Sequence, residues 1–260
     1  MKLTERQIKR YSRHIVLAGM GENGQQKILK SKVLVIGAGG LGSPILLYLA
    51  AAGVGTIGVA DGDIVDLTNL QRQVIHFSGD VGRQKVRSAK KKISDINPQV
   101  DVITHLDFID EDSILETIKG YDFIIDATDG FPAKFLINDA CVISGKPYSH
   151  AGALGYNGQT FTVVPGESAC LRCIFPDVPP ADLVSTCSLE GVLSSLPGVI
   201  GTIQATETLK YITGVGKLLI NRIMIFDALD TEFRKMVIKK NPDCPVCGKE
   251  PSIISLRNDN

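Results

Sequence analysis

The chain has 260 residues, 44% of them hydrophobic, which is enough to form the core of one large α/β domain. Lysine plus arginine and aspartate plus glutamate both number 28, so the formal net charge is zero. This balance argues against non-specific binding to nucleic acid or to an acidic membrane. The first ten residues are charged and contain no apolar segment, so we expect no secretory signal and a cytoplasmic protein.

The N-terminal segment 4–19 has helical periodicity and carries Arg13. Residues 33–72 follow in the order strand, glycine turn, helix, strand and acidic loop, which is typical of a mononucleotide-binding βαβ unit. Asp61 ends the second strand, where such units place the carboxylate that holds a ribose. The turn contains four glycines that let a backbone approach a phosphate: Gly37, Gly39, Gly40 and Gly42.

A third and a fourth strand are predicted at 100–106 and 121–126, with helices at 80–96, 110–119 and 131–143. Asp129 lies just past the fourth strand. Ligands of open α/β sheets bind at the carboxyl ends of the strands, so we expect Asp61 and Asp129 to face one crevice.

The second half of the chain has a different pattern. After a strand at 146–150 that closes the first half, strands are predicted at 159–164, 223–227 and 232–238, a helix at 196–212, and a loop-like segment at 167–188. We interpret residues 1–260 as one domain, with a nucleotide-binding half at about 30–150 and a second half at about 151–250. The predicted fold is α/β, with a Rossmann-like, mostly parallel sheet that is extended by antiparallel strands.

Two C-x-x-C motifs in the second half predict a metal site. Four thiolates in two such pairs fit a closed, tetrahedral and structural zinc site. The alternatives are a redox dithiol or buried unpaired cysteines. The predicted ligands are Cys170, Cys173, Cys244 and Cys247.

Taken together, these motifs resemble those of the ThiF/MoeB/HesA adenylyltransferases, relatives of ubiquitin-activating enzymes. The resemblance runs from about residue 10 to 248 and includes, besides the glycine turn and the cysteine pairs, the segments 61–63, 69–73, 82–85, 96–98 and 126–129. It implies that the protein uses ATP and magnesium to adenylate the C-terminal glycine of a ubiquitin-like sulfur-carrier protein. It also implies a homodimer.

The resemblance assigns roles to individual residues. It implies that Arg72 and Lys85 lie on the phosphates, and that Arg13 reaches the site from the other subunit. It also places Asp129 on magnesium, Asp61 on the ribose, and Asn69 beside the phosphates. Asp63 and Gln73 complete the implied nucleotide-binding set with the turn glycines. Lys90, Lys91 and Lys92 are left as a solvated helix face.

Some residues depart from the family pattern or leave alternatives open. Gly130 and Lys134 stand where the family usually has asparagine and arginine. Cys187 occupies a position where some members carry a thiol that bonds covalently to the carrier, and an inert loop cysteine is the equal alternative; Cys141 is predicted to be core. The competing functions are an NAD-dependent oxidoreductase and a non-catalytic dimer partner that presents a carrier protein.

Overall fold

The fold comes from a computed structural model that describes residues 2–180 and 190–256. Within these residues eight strands form one sheet: β1 Lys32–Ile36, β2 Thr56–Ala60, β3 Asp101–His105, β4 Phe123–Asp126, β5 Tyr148–Leu154, β6 Asn157–Val163, β7 Arg222–Asp227 and β8 Glu232–Val237. The helices are α1 Glu5–Arg10, α2 Ser12–Ile15, α3 Gly21–Lys30, α4 Gly42–Ala52, α5 Lys85–Ile96, α6 Ile114–Lys119, α7 Phe131–Ile143, α8 Leu171–Ile174 and α9 Leu196–Thr213.

The strand order is β3-β2-β1-β4-β5-β6-β7-β8. All pairs among β1 to β5 are parallel, whereas the pairs β5–β6, β6–β7 and β7–β8 are antiparallel. This arrangement confirms the predicted fold class. In the register, Ile36 lies between Ala60 and Asp126, so β1, β2 and β4 end in one row. The residues that follow these three strands therefore emerge side by side at one edge of the sheet.

The sheet is covered on both faces, which gives three layers. Alternate strand residues point to opposite faces, so Val35 belongs to one core cluster and Ile36 to the other. The first cluster includes Ile45 of α4 and Ile200 of α9. The second includes Phe135 of α7 together with cysteines of the two C-x-x-C motifs. Burial on both faces explains why the parallel strands have near-continuous apolar sequences.

The structure corrects three details of the helix predictions. The segment 4–19 is not one helix, because α1 and α2 meet at Tyr11, a buried residue whose hydroxyl accepts a hydrogen bond from Asn97. Helix α5 begins at Lys85 rather than at residue 80. Lys92 is not on a solvated face: its ammonium pairs with the buried carboxylate of Asp80, whereas Lys90 and Lys91 are exposed as expected.

The segment predicted as a loop at 167–188 contains the short helix α8, which an ion pair fixes to α7. The guanidinium of Arg172 donates two hydrogen bonds of 2.7 Å to Asp139, and both side chains are largely buried. This bidentate geometry holds the first C-x-x-C motif against the parallel half of the sheet. Among the described residues, no helix is long and apolar enough to cross a membrane.

Candidate active site

A cavity of about 500 Å³ lies at the carboxyl ends of the parallel strands and continues over β5, β6 and β7. Most residues of the predicted nucleotide set line this cavity. They come from five separate segments of the chain: Gly37, Gly39, Gly40, Asp61, Asp63, Arg72, Gln73, Lys85 and Asp129. The expected crevice with Asp61 and Asp129 in one wall is therefore present.

The glycine turn after β1 needs its glycines for backbone reasons. Gly37 has a φ of +103°, and a Cβ there would lie 2.5 Å from the carbonyl oxygen of Ala127. A Cβ at Gly42 would lie 2.0 Å from the Gly37 carbonyl oxygen. Gly42 does not line the cavity, so it permits the close approach of α4 to the turn rather than access for a ligand.

Hydrogen bonds on both sides of Ala38 hold the turn. Its N–H donates to Asp61 at 2.7 Å, and its carbonyl accepts from Nε2 of His76 at 2.9 Å. Carbonyl and N–H of a trans peptide point in opposite directions, so the N–H of Gly39 is turned away from His76. Gly39 lines the cavity, and its N–H is oriented to meet an anion. Burial lowers the pKa of His76, which keeps this imidazole neutral.

The cavity contains two cationic side chains near this turn. Lys85, at the start of α5, is only 5% exposed, and its ammonium lies 2.7 Å from a carboxylate oxygen of Asp63. The remaining hydrogens of that ammonium are available to a ligand. Arg72 donates one hydrogen bond of 3.2 Å to the carbonyl of Thr68 and keeps its other donors. Together they make this end of the cavity suited to phosphate groups.

Gln73 supplies an independent indication of a ligand. Its side chain is 4% exposed and lines the cavity, yet its Oε1 has no hydrogen-bond partner among the described residues. A buried polar atom without a partner costs free energy. A bound molecule with a donor group in this position would remove that cost.

Asp129 lies at the edge of the cavity and is exposed. No described residue forms a hydrogen bond or an ion pair with its carboxylate. Asp129 offers the hard oxygen ligands that magnesium prefers, and Asp63 lines the same cavity, so this end of the cavity fits a magnesium–nucleotide complex.

The buried carboxylate of this region is Asp126, which the sequence analysis did not single out. It accepts hydrogen bonds from Nδ1 of His150 at 2.9 Å, from Nζ of Lys134 at 3.2 Å and from Thr128. Burial raises the pKa of Asp126, but the charge of Lys134 and the bond from His150 outweigh it and bring the pKa to about 2. Asp126 is thus ionised, and it joins β4, β5 and α7 beneath the cavity.

His150 and Lys134 both line the cavity and were missed as site residues. Lys134 appeared in the sequence only as a departure from a family arginine. A pattern of apolar residues does not show which polar residues of two different strands meet. The one available signal was that both residues lie near the carboxyl ends of adjacent strands.

Three predicted residues are not brought into the cavity wall. Arg13 is exposed on α2 and does not line this chain's own cavity. Asn69 caps a short turn, where its Oδ1 accepts a 3.1 Å hydrogen bond from the N–H of Asp66. Gly42 packs beneath the turn, as described above. Cys187 lies outside the described residues.

The four cysteines of the two C-x-x-C motifs come together on the face of the sheet that carries α7. Their sulfur atoms all lie within 4.8 Å of one another. The contacts from Cys170 to Cys244 and to Cys247 measure 3.6 and 3.5 Å, close to the edge of about 3.8 Å expected for a tetrahedron of sulfurs around zinc. The cluster fits a metal ion with four thiolate ligands. Cys141, by contrast, is buried in the core, as predicted.

Comparison with known proteins agrees with this site. The family model described as the ThiF family matches residues 11–246, which is most of the chain. The chain belongs to the ThiF family. The match includes the glycine turn, the residues that line the cavity and three of the four clustered cysteines, and it ends one residue before Cys247.

Individual relatives extend this result. The chain is 43% identical to the SAMP-activating enzyme E1 of Haloferax volcanii, over 96% of this chain and 92% of that protein. It is 40% identical to the sulfur carrier protein adenylyltransferase of Thermus thermophilus, over 97% and 95%. Among solved structures, Escherichia coli MccB with ATP superimposes with a TM-score of 0.81 at 24% identity, covering 92% of this chain and 73% of that one. This last likeness supports the fold alone.

Proposed function

We propose that this protein is an ATP-dependent adenylyltransferase that acts on the C-terminal glycine of a ubiquitin-like sulfur-carrier protein and releases pyrophosphate. The observation that carries the proposal is the cavity, in which the glycine turn, two cations and an exposed carboxylate converge. Membership of the ThiF family, with relatives named as activating enzymes of such carriers, supports it.

The reaction joins two anions, because a carboxylate must attack the negatively charged α-phosphate of ATP. Positive charge and fixed donors in the cavity reduce this repulsion. Arg72, Lys85 and the N–H groups of the glycine turn would bind the phosphates, and Asp61 would accept hydrogen bonds from the ribose hydroxyls. Magnesium, when held by Asp129, would withdraw charge from the phosphate oxygens.

We also propose that the enzyme is a homodimer in which Arg13 of one subunit serves the cavity of the other. The support is geometric: Arg13 is exposed, carries a cation and lies outside its own subunit's cavity wall. A cation supplied by a second subunit would add to the charge that Arg72 and Lys85 provide.

The four-cysteine cluster has a separate role in this proposal. Four thiolate ligands leave no open coordination position for water, so a zinc ion here would be structural. It would connect α8 to the segment after β8 and would take no part in adenylation.

The test is ATP–pyrophosphate exchange with purified protein and ubiquitin-like carriers that end in Gly-Gly. Exchange should appear with a carrier and ATP, and it should disappear when the terminal glycine of the carrier is deleted. Carrier binding without exchange would instead favour the non-catalytic partner. NAD binding with no exchange would favour the oxidoreductase.

A further inference from the structure

The cavity has a second end that the nucleotide residues do not occupy. It lies over β5, β6 and β7, and its wall is formed mostly by small and apolar residues: Gly152, Ala153, Leu154, Gly158 and Ile225. β5 is three strands from β2 in the sheet, a distance of about 14 Å at the usual strand spacing. A ribose held by Asp61 after β2 therefore leaves this second end open to another molecule.

His150 is the polar side chain of β5 in this wall. It is 3% exposed, and its Nδ1 lies 2.9 Å from Oδ2 of Asp126. Lys134, the neighbouring cation, directs its ammonium to both oxygens of Asp126 and to the carbonyl of Ala151. Those three acceptors occupy the three hydrogens of the ammonium, so Lys134 has no donor left for a ligand.

The hydrogen bond to Asp126 determines the form of His150. Asp126 is ionised and can only accept, so the proton of the imidazole is on Nδ1. Burial lowers the pKa of His150, which keeps the ring neutral and leaves a lone pair on Nε2. No described residue donates a hydrogen bond to Nε2. His150 therefore offers the cavity a hydrogen-bond acceptor.

An acceptor of this kind selects what can bind beside it. Carboxylate and phosphate oxygens are themselves acceptors and gain nothing from a neutral Nε2. The donors of ATP are the amino group of adenine and the ribose hydroxyls, and these belong to the end of the cavity near Asp61. A peptide main chain, in contrast, carries a backbone N–H at every residue except proline.

We propose that His150 is a specificity-determining residue whose Nε2 accepts a hydrogen bond from a backbone N–H of the carrier's C-terminal diglycine. This inference rests on the proposed function. Gly152, two residues after His150 on the same face of β5, leaves room for a chain without side chains, since a Cβ there would meet only Gln159, at 3.8 Å. Asp126 with Lys134 fixes the orientation of the imidazole.

The first test compares His150→Phe with His150→Gln. Phenylalanine keeps a ring but loses the acceptor, so the KM for a Gly-Gly carrier should rise about fivefold to tenfold, as for the loss of one hydrogen bond. Glutamine can donate to Asp126 and accept from the carrier, so it should restore most of that loss. The KM for ATP should stay close to that of the wild type in both variants. The thermal midpoint should fall in His150→Phe, because the buried carboxylate of Asp126 loses a donor, and glutamine should restore it. The KM values are therefore compared well below both midpoints.

The second test removes the donor from the carrier. Semisynthetic copies of a carrier that supports exchange would have a methyl group on one or the other glycine nitrogen. One of the two copies should lose about fivefold to tenfold in affinity for the wild-type enzyme. With His150→Phe, the same methylated copy should bind no more weakly than the unmodified carrier does, because the hydrogen bond is already absent.

The outcomes separate this inference from the proposed function. Equal carrier KM values for wild type and His150→Phe, or additive effects of the two changes, would refute the role of His150 while leaving adenylation intact. A change in the KM for ATP instead would assign His150 to the nucleotide. Absence of exchange with every Gly-Gly carrier would refute the function and this inference with it.

Discussion

The parallel and antiparallel halves of the sheet are stabilised in different ways. In the parallel half, Val33 to Ile36 of β1 are buried on both faces. In the antiparallel half, all six residues of the outer strand β8 are exposed. Apolar burial thus accounts for the first half, whereas the outer edge of the second half depends on contacts outside the sheet.

The cluster of four cysteines is such a contact, because Cys244 and Cys247 follow β8 in the chain. The ion pair between Arg172 and Asp139 holds the other cysteine pair to α7. Both tie segments that are distant in sequence, and neither lies in the cavity wall. This difference indicates that substitutions in different regions can change the activity and the stability of the protein separately. Changes of exposed cavity residues such as Asp129 should affect activity alone, whereas Lys134 and His150 also hold the buried Asp126. Changes in the cysteine cluster should affect the antiparallel half first.

The largest expected effect is destabilisation of the antiparallel half through loss of the metal. Structural zinc contributes roughly 10 kcal/mol to folding in small zinc domains, so Cys244→Ser should lose the metal and strongly lower the thermal midpoint. Elemental analysis should find about one zinc per chain in the wild type and none in the variant. Hydrogen exchange should accelerate in β7, β8 and α8 before it does in β1 and β4.

Cys141→Ala is the matched control, because Cys141 is a buried cysteine outside the cluster. It should retain zinc. A Cys244→Ser protein that still holds one zinc per chain would show that the four sulfurs are not the ligands.

The next largest effect is a loss of adenylation activity at the cavity, with no change in the stability of the parallel half. Asp129→Ala should reduce adenylation at least ~100-fold, the scale for removing one electrostatic stabiliser. Because Asp129 is exposed, the thermal midpoint of the nucleotide-free protein should hardly change. Exchange kinetics and a melting curve measure both quantities.

Asp95→Ala is a suitable comparison, since Asp95 is an exposed carboxylate on α5 that does not line the cavity. It should leave both quantities near wild type. Normal adenylation by Asp129→Ala would remove Asp129 from the proposed magnesium site.

A third experiment asks whether the cavity of one subunit needs Arg13 of the other subunit. Arg13→Ala and Asp129→Ala chains should each be weakly active alone. Mixed in equal amounts, they should recover about a quarter of wild-type activity, because half of the dimers are hybrids and each hybrid has one complete site. No recovery after verified subunit exchange would contradict a shared cavity.

The smallest effect concerns Asp126, where the two halves meet. Its pKa is about 2 in the folded protein, against 3.8 for an ordinary aspartate side chain. Its stabilising contribution is therefore present above pH 4 and is lost as pH falls towards 2. The free energy of unfolding should therefore fall roughly 2 kcal/mol more in the wild type than in Asp126→Asn over that range. Denaturant titrations at several pH values measure this difference, and parallel curves would count against it.

Local sequence predicted most elements of both halves. Helix α7 has the predicted bounds, because its apolar positions are dense and Gly130 and Pro132 mark its start. The prediction was wrong at 4–19, where burial of Tyr11 interrupts the helix. Lys92 was misplaced because its partner Asp80 lies in a preceding turn, and a helical pattern contains no information about that turn.

The candidate site likewise contains residues that the sequence predicted and residues that it did not. The glycine turn, Asp61 and Asp129 were recognisable because each follows a predicted strand. Their convergence followed from the common end of parallel strands. Arg72 and Lys85 were assigned only through the resemblance to the ThiF/MoeB/HesA enzymes. The cluster of four cysteines was also predictable, since thiolate pairs at this spacing have few other uses.

The sequence by itself determined the order of strands and helices, the glycine turn and the two cysteine pairs, because these depend on periodicity and short-range spacing. Only the tertiary structure decided which polar groups became buried partners. Asp126, Lys134 and His150 belong to β4, α7 and β5, and their contact exists only because those strands pair in a particular register. The same packing determined that Asp126 is buried and ionised while Asp129, three residues later, remains exposed, since burial depends on neighbours that are distant in the chain.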